Sequence, residues 1–228
     1  MGKLYVVGIG PGGYENMTLR AVKVIENSEI IVGYTKYIEM IKDLIKNKVV
    51  ISTGMRAEVE RCKKALELSK DHVVSIVSTG DPGIYGMAGL ILEMKKDEDV
   101  EVISGLTASS AAASIVGAPL MTPYELIKKR IELAASGDFV ISLYNPKSKG
   151  RPHYLKECID IVKKYRKGNT PVAVVKNALR EGQEYKLFTL DSFDDSIVDM
   201  MSVVIIGNSN SYIKDGIFIT PRGYKIPE

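Results

Sequence analysis

The chain has few of the residues that bind transition metals: two cysteines and two histidines among 228 residues. Cys62 and Cys158 are far apart, and each lies in a stretch with a helical pattern. A zinc site needs cysteines or histidines clustered at ligand spacing, so no metal site is predicted. We expect two free thiols in a reducing compartment.

Long apolar runs are also lacking. No run is long enough to cross a membrane, and the N-terminal apolar stretch is too short for a signal peptide. Met1 and Gly2 do not begin a myristoylation signal, because Val6 occupies the position that requires Ser or Thr. We therefore expect a cytoplasmic protein with no membrane partner.

Charge of one sign is not concentrated in the chain. The formal net charge is +3, with −1 over residues 1–121 and +4 over residues 122–228. Nucleic-acid-binding domains typically have a strongly basic face with interleaved aromatic residues, so no nucleic-acid partner is predicted. The P-loop pattern G-x-x-x-x-G-K-[ST] is absent, which excludes a P-loop NTPase, and no Ser/His/Asp or Cys/His nucleophile set is recognisable.

The first half of the chain alternates predicted strands and helices. The helix over 34–45 has apolar residues at i, i+3, i+4 and i+7, which is the pattern of a helix lying on a sheet. Regular strand–helix alternation indicates a mostly parallel sheet covered on both faces. The predicted strands are 4–9, 29–32, 48–52, 73–78 and 100–104, and the predicted helices are 16–27, 34–45, 56–70, 84–96 and 107–116.

The second half has strands with shorter polar connections, which indicate a mixed or antiparallel sheet. Thr122 to Glu125 forms a capping-box pattern with Pro123 at the first helical position, so a helix is predicted to begin there. We place a domain boundary near Met121, which gives two α/β domains over residues 1–121 and 122–228. The predicted strands are 139–143, 171–175, 184–190, 202–206 and 217–220, the last closing the sheet, and the predicted helices are 123–135 and 154–167.

A glycine-rich run from Gly8 to Gly13 (GIGPGG) follows the first predicted strand and matches the dinucleotide pattern G-x-G-x-x-G. Pro11 has no N–H to offer a pyrophosphate, and the strand that ends at Val32 has no acidic residue at its tip to bind a ribose. Both departures argue against NAD. The alternative is a tight turn that lets the first helix pack closely and brings the backbone near a ligand.

Three further loops follow predicted strands: Gly80–Gly86 (GDPGIYG), Ser104–Ser109 (SGLTAS) and Leu143–Arg151 (LYNPKSKGR). The first also suits a simple turn, and Thr107 in the second also suits a helix N-cap. Open α/β sheets bind ligands at the carboxyl ends of their strands, so two such loops at adjacent strand tips favour a pocket. The third loop carries an amide and three cations and suits an anionic small molecule.

In order and composition these motifs resemble the tetrapyrrole methylases, S-adenosylmethionine-dependent enzymes of the corrinoid and siroheme pathways. The loop over 143–151 is similar to the branch that methylates C17 of precorrin-3B and contracts its ring in cobalamin biosynthesis. The resemblance implies two α/β domains, a mostly parallel sheet in the first and a mixed sheet in the second, with the cofactor in the cleft between them, and usually a homodimer. It rests on VGIGPG over 7–12, GDP over 80–82, GLTA over 105–108, PVAVVKNA over 171–178 and IGNS over 206–209.

The same resemblance implies a site for S-adenosylmethionine, with S-adenosylhomocysteine as the product. A sulfonium is a cation, and the first-domain loops contain Asp81 but no Lys or Arg. Methyl transfer mainly needs alignment of a carbon nucleophile with the methyl group, so loops that position the reactants suffice. The cofactor contacts carried over by position are Pro11, Thr79, Gly80, Asp81, Ile84, Thr107, Ala108, Asn145 and Ala178.

Because a precorrin carries many carboxylates, the resemblance gives the basic loop a role in binding the substrate. An exposed basic turn is the alternative for this loop, and an exposed helix start is the alternative for His153. No residue is assigned to the proton transfers of ring contraction. The expected substrate-binding residues are Lys147, Lys149, Arg151 and Arg180, and the candidates for proton transfer are Tyr144, Lys147 and His153.

The chain departs from the family pattern at two places. Ser104 stands where the family usually has Pro, and Met121 runs directly into Thr122 where the family has a strand-length linking segment. A deletion, a sequence error and residues left out of the numbering all explain the missing segment, and the last is our hypothesis. Two other functions therefore stay open: another precorrin C-methyltransferase, and a binder of S-adenosylmethionine without catalytic activity.

Overall fold

The computed structural model describes residues 2–148 and 150–226. The chain divides into two compact units, one of Met1–Leu120 with Pro221–Glu228 and the other of Met121–Thr220. The segment from Pro221 onward was predicted to belong with the second half. It groups with the first unit, where Tyr224 and Ile226 pack against the apolar core.

The first unit contains a five-stranded sheet with the order β3-β2-β4-β1-β5, and all its pairs are parallel. Consecutive residues of a strand point to opposite faces. Accordingly, Val6 and Ile76 belong to one buried apolar cluster, while Val7 and Val77 belong to another. The sheet is therefore buried on both faces, and the predicted parallel sheet is confirmed. Strands β1 to β5 are Lys3–Gly8, Ile30–Tyr34, Val49–Thr53, Val73–Ser78 and Val100–Ile103.

The helices of the first unit are shorter than predicted. The helix predicted over 34–45 is interrupted at Ile41, which is buried with a φ of −117°, and a 3₁₀ turn follows it. The helix predicted over 84–96 begins only at Ala88, because Tyr85 has a left-handed φ of 56° that helical backbone does not tolerate. Helices α1 to α5 are Leu19–Asn27, Thr35–Met40, Glu58–Leu68, Ala88–Met94 and Ala108–Ile115.

The second unit contains a four-stranded sheet with the order β6-β9-β7-β8. Every pair in this sheet is antiparallel, so the antiparallel alternative is correct and the mixed one is not. The connection between β7 and β8 is too short for the crossover that a parallel pair requires. Helices α6 (Ile127–Ser136) and α7 (Tyr154–Val162) contribute apolar residues to a core that they share with the strands of this sheet. Strands β6 to β9 are Ile141–Tyr144, Pro171–Lys176, Glu184–Thr189 and Ser202–Ile206.

Two local predictions for the second unit are wrong. The last predicted strand does not close the sheet: β11 (Ile217–Ile219) pairs with β10 (Tyr212–Lys214) as a separate hairpin. Asp215 and Gly216 form its two-residue turn, with left-handed φ values of 51° and 73°. The capping box is not formed either, because no side chain caps the 3₁₀ turn before α6, and Thr122 Oγ1 is buried without a hydrogen-bond partner among the described residues.

Candidate active site

Three loops of the first unit meet at the carboxyl ends of β1, β4 and β5, where no side chain fits between them. A Cβ on Gly8 would lie 2.6 Å from the carbonyl oxygen of Gly80 and 2.7 Å from the backbone nitrogen of Gly105. A Cβ on Gly105 would overlap the same Gly80 oxygen. Since real Cβ atoms do not come this close to backbone atoms, glycine at positions 8 and 105 is what allows the loops to converge.

Backbone hydrogen bonds join the first of these loops to the second. The N–H of Gly10 donates to the carbonyl of Gly80 over 3.2 Å, and the N–H of Gly80 donates to the carbonyl of Gly10 over 2.8 Å. Both residues have left-handed φ values, 70° and 64°, which glycine adopts without a steric penalty. The glycine-rich run after β1 is therefore a tight turn that helps to build the strand-end site. A tight turn was the alternative that the sequence offered to a dinucleotide-binding loop.

The side chain of Asp81 joins the second loop to the third. Its Oδ1 accepts a hydrogen bond from the N–H of Gly83 over 2.8 Å, within its own loop. Its Oδ2 accepts one from the N–H of Gly105 over 3.0 Å. A carboxylate that accepts two backbone N–H groups is held in one orientation, so its negative charge has a fixed place at the site.

The converging loops line a cavity of about 550 Å³ whose lining residues all belong to the first unit. Thr107 occupies the N-cap position of α5, but its side chain makes no capping hydrogen bond. Pro11 does not line this cavity; it is exposed in the loop after β1. The structure thus brings together six of the nine predicted cofactor residues: Thr79, Gly80, Asp81, Ile84, Thr107 and Ala108.

The cavity also has lining residues that the sequence did not indicate as site residues. The rings of Tyr34 and Tyr37 meet edge to face with their centroids 5.1 Å apart, and in the sequence they looked like part of a helical apolar stripe. Arg222 and Tyr224 come from the segment after the last strand. Their only signal was a basic residue, a glycine and an aromatic residue in succession, with no periodic pattern around them.

Two arginines line the cavity in different ways. Arg61 is buried: its Nε donates to Thr53 Oγ1 over 2.7 Å, and its Nη2 donates to the carbonyl of Gly54 over 2.9 Å. Its guanidinium therefore holds the chain after β3 in place. Arg222 is exposed, with its guanidinium 5.6 Å from the ring centroid of Tyr224, and it makes no ion pair within residues 2–148 and 150–226.

In the second unit, the loop after β6 lines a smaller cavity of about 220 Å³. Asn145 lines it with a left-handed φ of 46°, next to Tyr144, whose side chain is exposed. Arg151 lines it as well, with its guanidinium 5.4 Å from the ring centroid of Tyr124. The structure therefore groups three of the residues predicted from this loop, on the unit to which the loop belongs.

Other residues predicted from the second half are placed differently. Lys147 Nζ donates to the backbone carbonyl of Asp195 over 2.8 Å and forms an ion pair with its carboxylate over 3.1 Å. Lys149 lies outside the described residues. His153, Ala178 and Arg180 are all exposed and line neither of the two cavities described above.

The two cysteines do not contribute nucleophiles to a site. Cys62 and Cys158 are free and buried, and burial raises the pKa of the thiols to about 12 and about 11 respectively. Both are therefore protonated at neutral pH. Within the part of the chain that the structure describes, no group of three metal-ligating side chains is present, and no helix is long and apolar enough to cross a membrane.

Comparison with known proteins gives the family. Residues 3–194 match the family model of the tetrapyrrole (corrin/porphyrin) methylases. A probable cobalt-factor III C(17)-methyltransferase of Salmonella typhimurium is 46% identical over 240 aligned positions, which cover 98% of this chain and 100% of that protein. Because this alignment is longer than the 228-residue chain, the relative has residues with no counterpart here.

Two more distant proteins are similar over the same span. A precorrin-3B C(17)-methyltransferase of Sinorhizobium sp is 32% identical over 98% of this chain and 97% of its own length. The crystal structure of the methyltransferase CobJ is 28% identical, with a TM-score of 0.50, and covers 97% of this chain and 100% of that one. The chain belongs to the tetrapyrrole (corrin/porphyrin) methylase family and is a methyltransferase.

Proposed function

We propose that this chain methylates C17 of precorrin-3B or of its cobalt form, with S-adenosylmethionine as the methyl donor, and contracts the macrocycle to (cobalt-)precorrin-4 in cobalamin biosynthesis. The observation that carries the proposal is the 46% identity to the Salmonella protein, which extends over the whole length of that protein. The similarity to the Sinorhizobium enzyme, whose name gives the same position on the macrocycle, supports it.

We infer that S-adenosylmethionine binds in the 550 Å³ cavity of the first unit. When bound, it supplies a methyl group activated on a positively charged sulfur. The residues fit such a ligand: Gly8 and Gly105 let the three loops converge, Gly80 contributes backbone to the cavity lining, and Asp81 offers a fixed negative charge. Thr107 has a hydroxyl that is not used as a cap. Pro11, Asn145 and Ala178 stay predictions as further contacts.

For the substrate, we propose that basic side chains after β6 and β7 bind the carboxylates of the macrocycle. Arginine and lysine bind carboxylates through charge-assisted hydrogen bonds, and Arg151 and Arg180 make no ion pair to a described carboxylate. Lys147 is paired with Asp195 and must exchange that partner for the substrate. Lys149 completes the proposed set. Tyr144, Lys147 and His153 stay candidates for moving protons during ring contraction.

We also propose that the protein forms a homodimer and is cytoplasmic. Large apolar side chains are exposed at Ile115, Val116, Leu120 and Met121, with exposed fractions of 84, 73, 74 and 79%. Contiguous exposed apolar residues typically belong to an interaction surface, which supports the dimer. Two unpaired thiols support a reducing compartment.

The experiment that tests the proposed function is turnover of precorrin-3B and of its cobalt form in the presence of S-adenosylmethionine. We expect formation of S-adenosylhomocysteine and a product that carries one added methyl group. Mass spectrometry and NMR of the product identify the methylated carbon. Addition of the methyl group at another carbon would instead indicate another precorrin C-methyltransferase.

Calorimetry with S-adenosylhomocysteine and with NAD is the matched binding measurement. Binding of S-adenosylhomocysteine without turnover of either tetrapyrrole would indicate that the chain binds S-adenosylmethionine but has no catalytic activity. Binding of NAD in its place would overturn the assignment of the cavity.

A further inference from the structure

The C-terminal segment over residues 221–226 docks on the first unit after the chain has completed the second. Tyr224 and Ile226 are partly buried and pack against the apolar core that contains Met87 and Leu90. Gly223, immediately before Tyr224, has a left-handed φ of 79°. No atom lies within 4 Å of the place where its Cβ would be, so the requirement there is for backbone conformation and not for space. We call residues 221–226 the C-terminal arm.

A carboxylate on α4 contacts the backbone of this arm. Glu93 has one buried oxygen, Oε1, with no hydrogen-bond partner among the described residues. Burial raises the pKa of this carboxyl, and the backbone N–H of Arg222 acts in the opposite direction by stabilising the ionised form. The backbone of Arg222 is therefore held beside α4, while its side chain is exposed.

The arm places the guanidinium of Arg222 in the lining of the same cavity that contains Asp81. The central carbon of this guanidinium lies 5.6 Å from the centroid of the Tyr224 ring, which is within cation–π distance. Arg61, the other arginine in the lining, is buried and donates from Nε to Thr53 and from Nη2 to Gly54. Of the two, Arg222 alone is exposed, and no described carboxylate pairs with it.

We propose that Arg222 binds a carboxylate of the tetrapyrrole substrate at the mouth of the cavity, a proposal that rests on the proposed function. A guanidinium offers paired N–H donors that match a carboxylate. The cavity would then have a negative group, Asp81, where the methyl donor's sulfonium belongs, and a positive group, Arg222, where a substrate carboxylate belongs. The methyl donor also has a carboxylate, and the exposure of the Arg222 side chain favours the larger ligand, the tetrapyrrole.

The test compares Arg222→Ala, Arg222→Lys and Gly223→Ala with the native chain. We expect Arg222→Ala to raise the KM for the tetrapyrrole about 10- to 100-fold, with kcat changed less than about threefold. Arg222→Lys should recover part of the loss, because it keeps the charge but not the paired donors. Gly223→Ala keeps the charge but strains the arm, and should raise KM by a smaller factor. Lys23→Ala, which removes an exposed charge on α1 outside the cavity, is the matched control.

The affinity for S-adenosylhomocysteine, measured by calorimetry, shows whether Arg222 binds a carboxylate of the substrate or the carboxylate of the methyl donor. It should be unchanged in Arg222→Ala; a tenfold loss would mean that Arg222 binds the methyl donor and would overturn the proposal. An unchanged KM in a native-like Arg222→Ala would overturn it too. Thermal unfolding reports whether the variant folds, and Arg222→Lys serves if the alanine variant does not. If the native chain turns over no tetrapyrrole, the proposed function itself fails, and this outcome is distinct from either result above.

Discussion

The carboxylate of Asp81 accepts a hydrogen bond from the backbone N–H of Gly105 over 3.0 Å and thereby joins the loop after β4 to the loop after β5. Its other oxygen accepts from the N–H of Gly83 over 2.8 Å. Asp81 thus combines two properties: it connects two loops, and it brings a negative charge to the cavity that they line. Substitutions of Asp81 can distinguish the effect of the loop connection from the effect of the charge.

Asp81→Asn keeps one oxygen that accepts a hydrogen bond and removes the charge. We expect the affinity for S-adenosylmethionine to fall about tenfold, and that for S-adenosylhomocysteine less than about threefold, because only the former carries a sulfonium. Calorimetry with both ligands gives the ratio. Equal losses for the two ligands would show that the charge is not used.

The controls for this experiment come from the same chain. Asp81→Ala removes both acceptors, so we expect both ligands to lose more than about tenfold in affinity as the loops separate. Asp194→Asn is the matched control, since Asp194 also accepts from the N–H two residues onward, over 2.9 Å, in an exposed turn of the second unit. It should leave both affinities unchanged.

Gly105→Ala tests whether the close approach of the loops is needed. The added Cβ would overlap the carbonyl oxygen of Gly80, which is backbone and cannot rotate away. We expect a loss of about 1–3 kcal/mol in the free energy of unfolding and loss of measurable S-adenosylhomocysteine binding. Urea unfolding and calorimetry measure the two effects.

The control for Gly105→Ala is Gly54→Ala in the same unit. Position 54 has no atom within 4 Å of its Cβ site and no left-handed φ, so stability and binding should stay as in the native chain. Normal ligand binding by Gly105→Ala would mean that the loops can move apart to admit the added Cβ and still bind the ligand, so their close approach would not be needed.

Several features of the fold follow directly from local patterns in the sequence. The strands Val73–Ser78 and Ser202–Ile206 were predicted with their observed ends, because both are short apolar runs bounded by polar turn residues. Loops at the ends of parallel strands meet at one edge of a sheet, so the loops at Asp81 and Thr107 were predicted to share a pocket, and both line the same cavity. Their strands are not neighbours as predicted, because β1 lies between β4 and β5. In each case a local pattern and a general rule of sheet topology were sufficient.

Other features depend on contacts between distant residues, which a single sequence does not contain. The helix after Pro82 begins late because Tyr85 takes a left-handed φ, and nothing in its residue type predicts this. Arg222 lines the cavity only because the arm docks near Glu93, a contact between residues far apart in the chain. The pairing of Lys147 with Asp195 was missed for the same reason.

Substitutions of Lys147 and of Asp195 should change the substrate KM in opposite directions. Their ion pair is only partly buried, with exposed side-chain fractions of 26 and 38%, so it is weak enough to open for another carboxylate. If Lys147 binds the substrate, Lys147→Ala should raise the substrate KM about tenfold, and Asp195→Asn should lower it about threefold by removing the competing carboxylate, while the backbone carbonyl of residue 195 still accepts from Lys147. Steady-state kinetics with both variants measures this. A change in thermal stability alone, with KM constant in both, would give Lys147 a purely structural role.

Glu93 connects the docking of the C-terminal arm to pH. Burial raises the pKa of its carboxyl above the ordinary value of 4.5, and the N–H of Arg222 opposes this by less. The folded state therefore holds the Glu93 proton more tightly than the unfolded state does. The stabilisation that results is fully present below about pH 4.5 and is lost as the pH rises through the raised pKa of the folded state.

Glu93→Gln should therefore raise the thermal stability of the first unit near neutral pH, because the glutamine stays uncharged in the buried position. Below about pH 4.5 the variant and the native chain should unfold at the same temperature, since Glu93 is then protonated in both states. Calorimetric unfolding at about pH 4 and about pH 7 measures the difference, with Glu60→Gln on the exposed side of α3 as the control. A gain of equal size at both pH values would contradict the titration of Glu93. A lower stability at neutral pH would show that the ionised carboxylate's contact with the Arg222 N–H outweighs the burial, in which case the arm is held by charge.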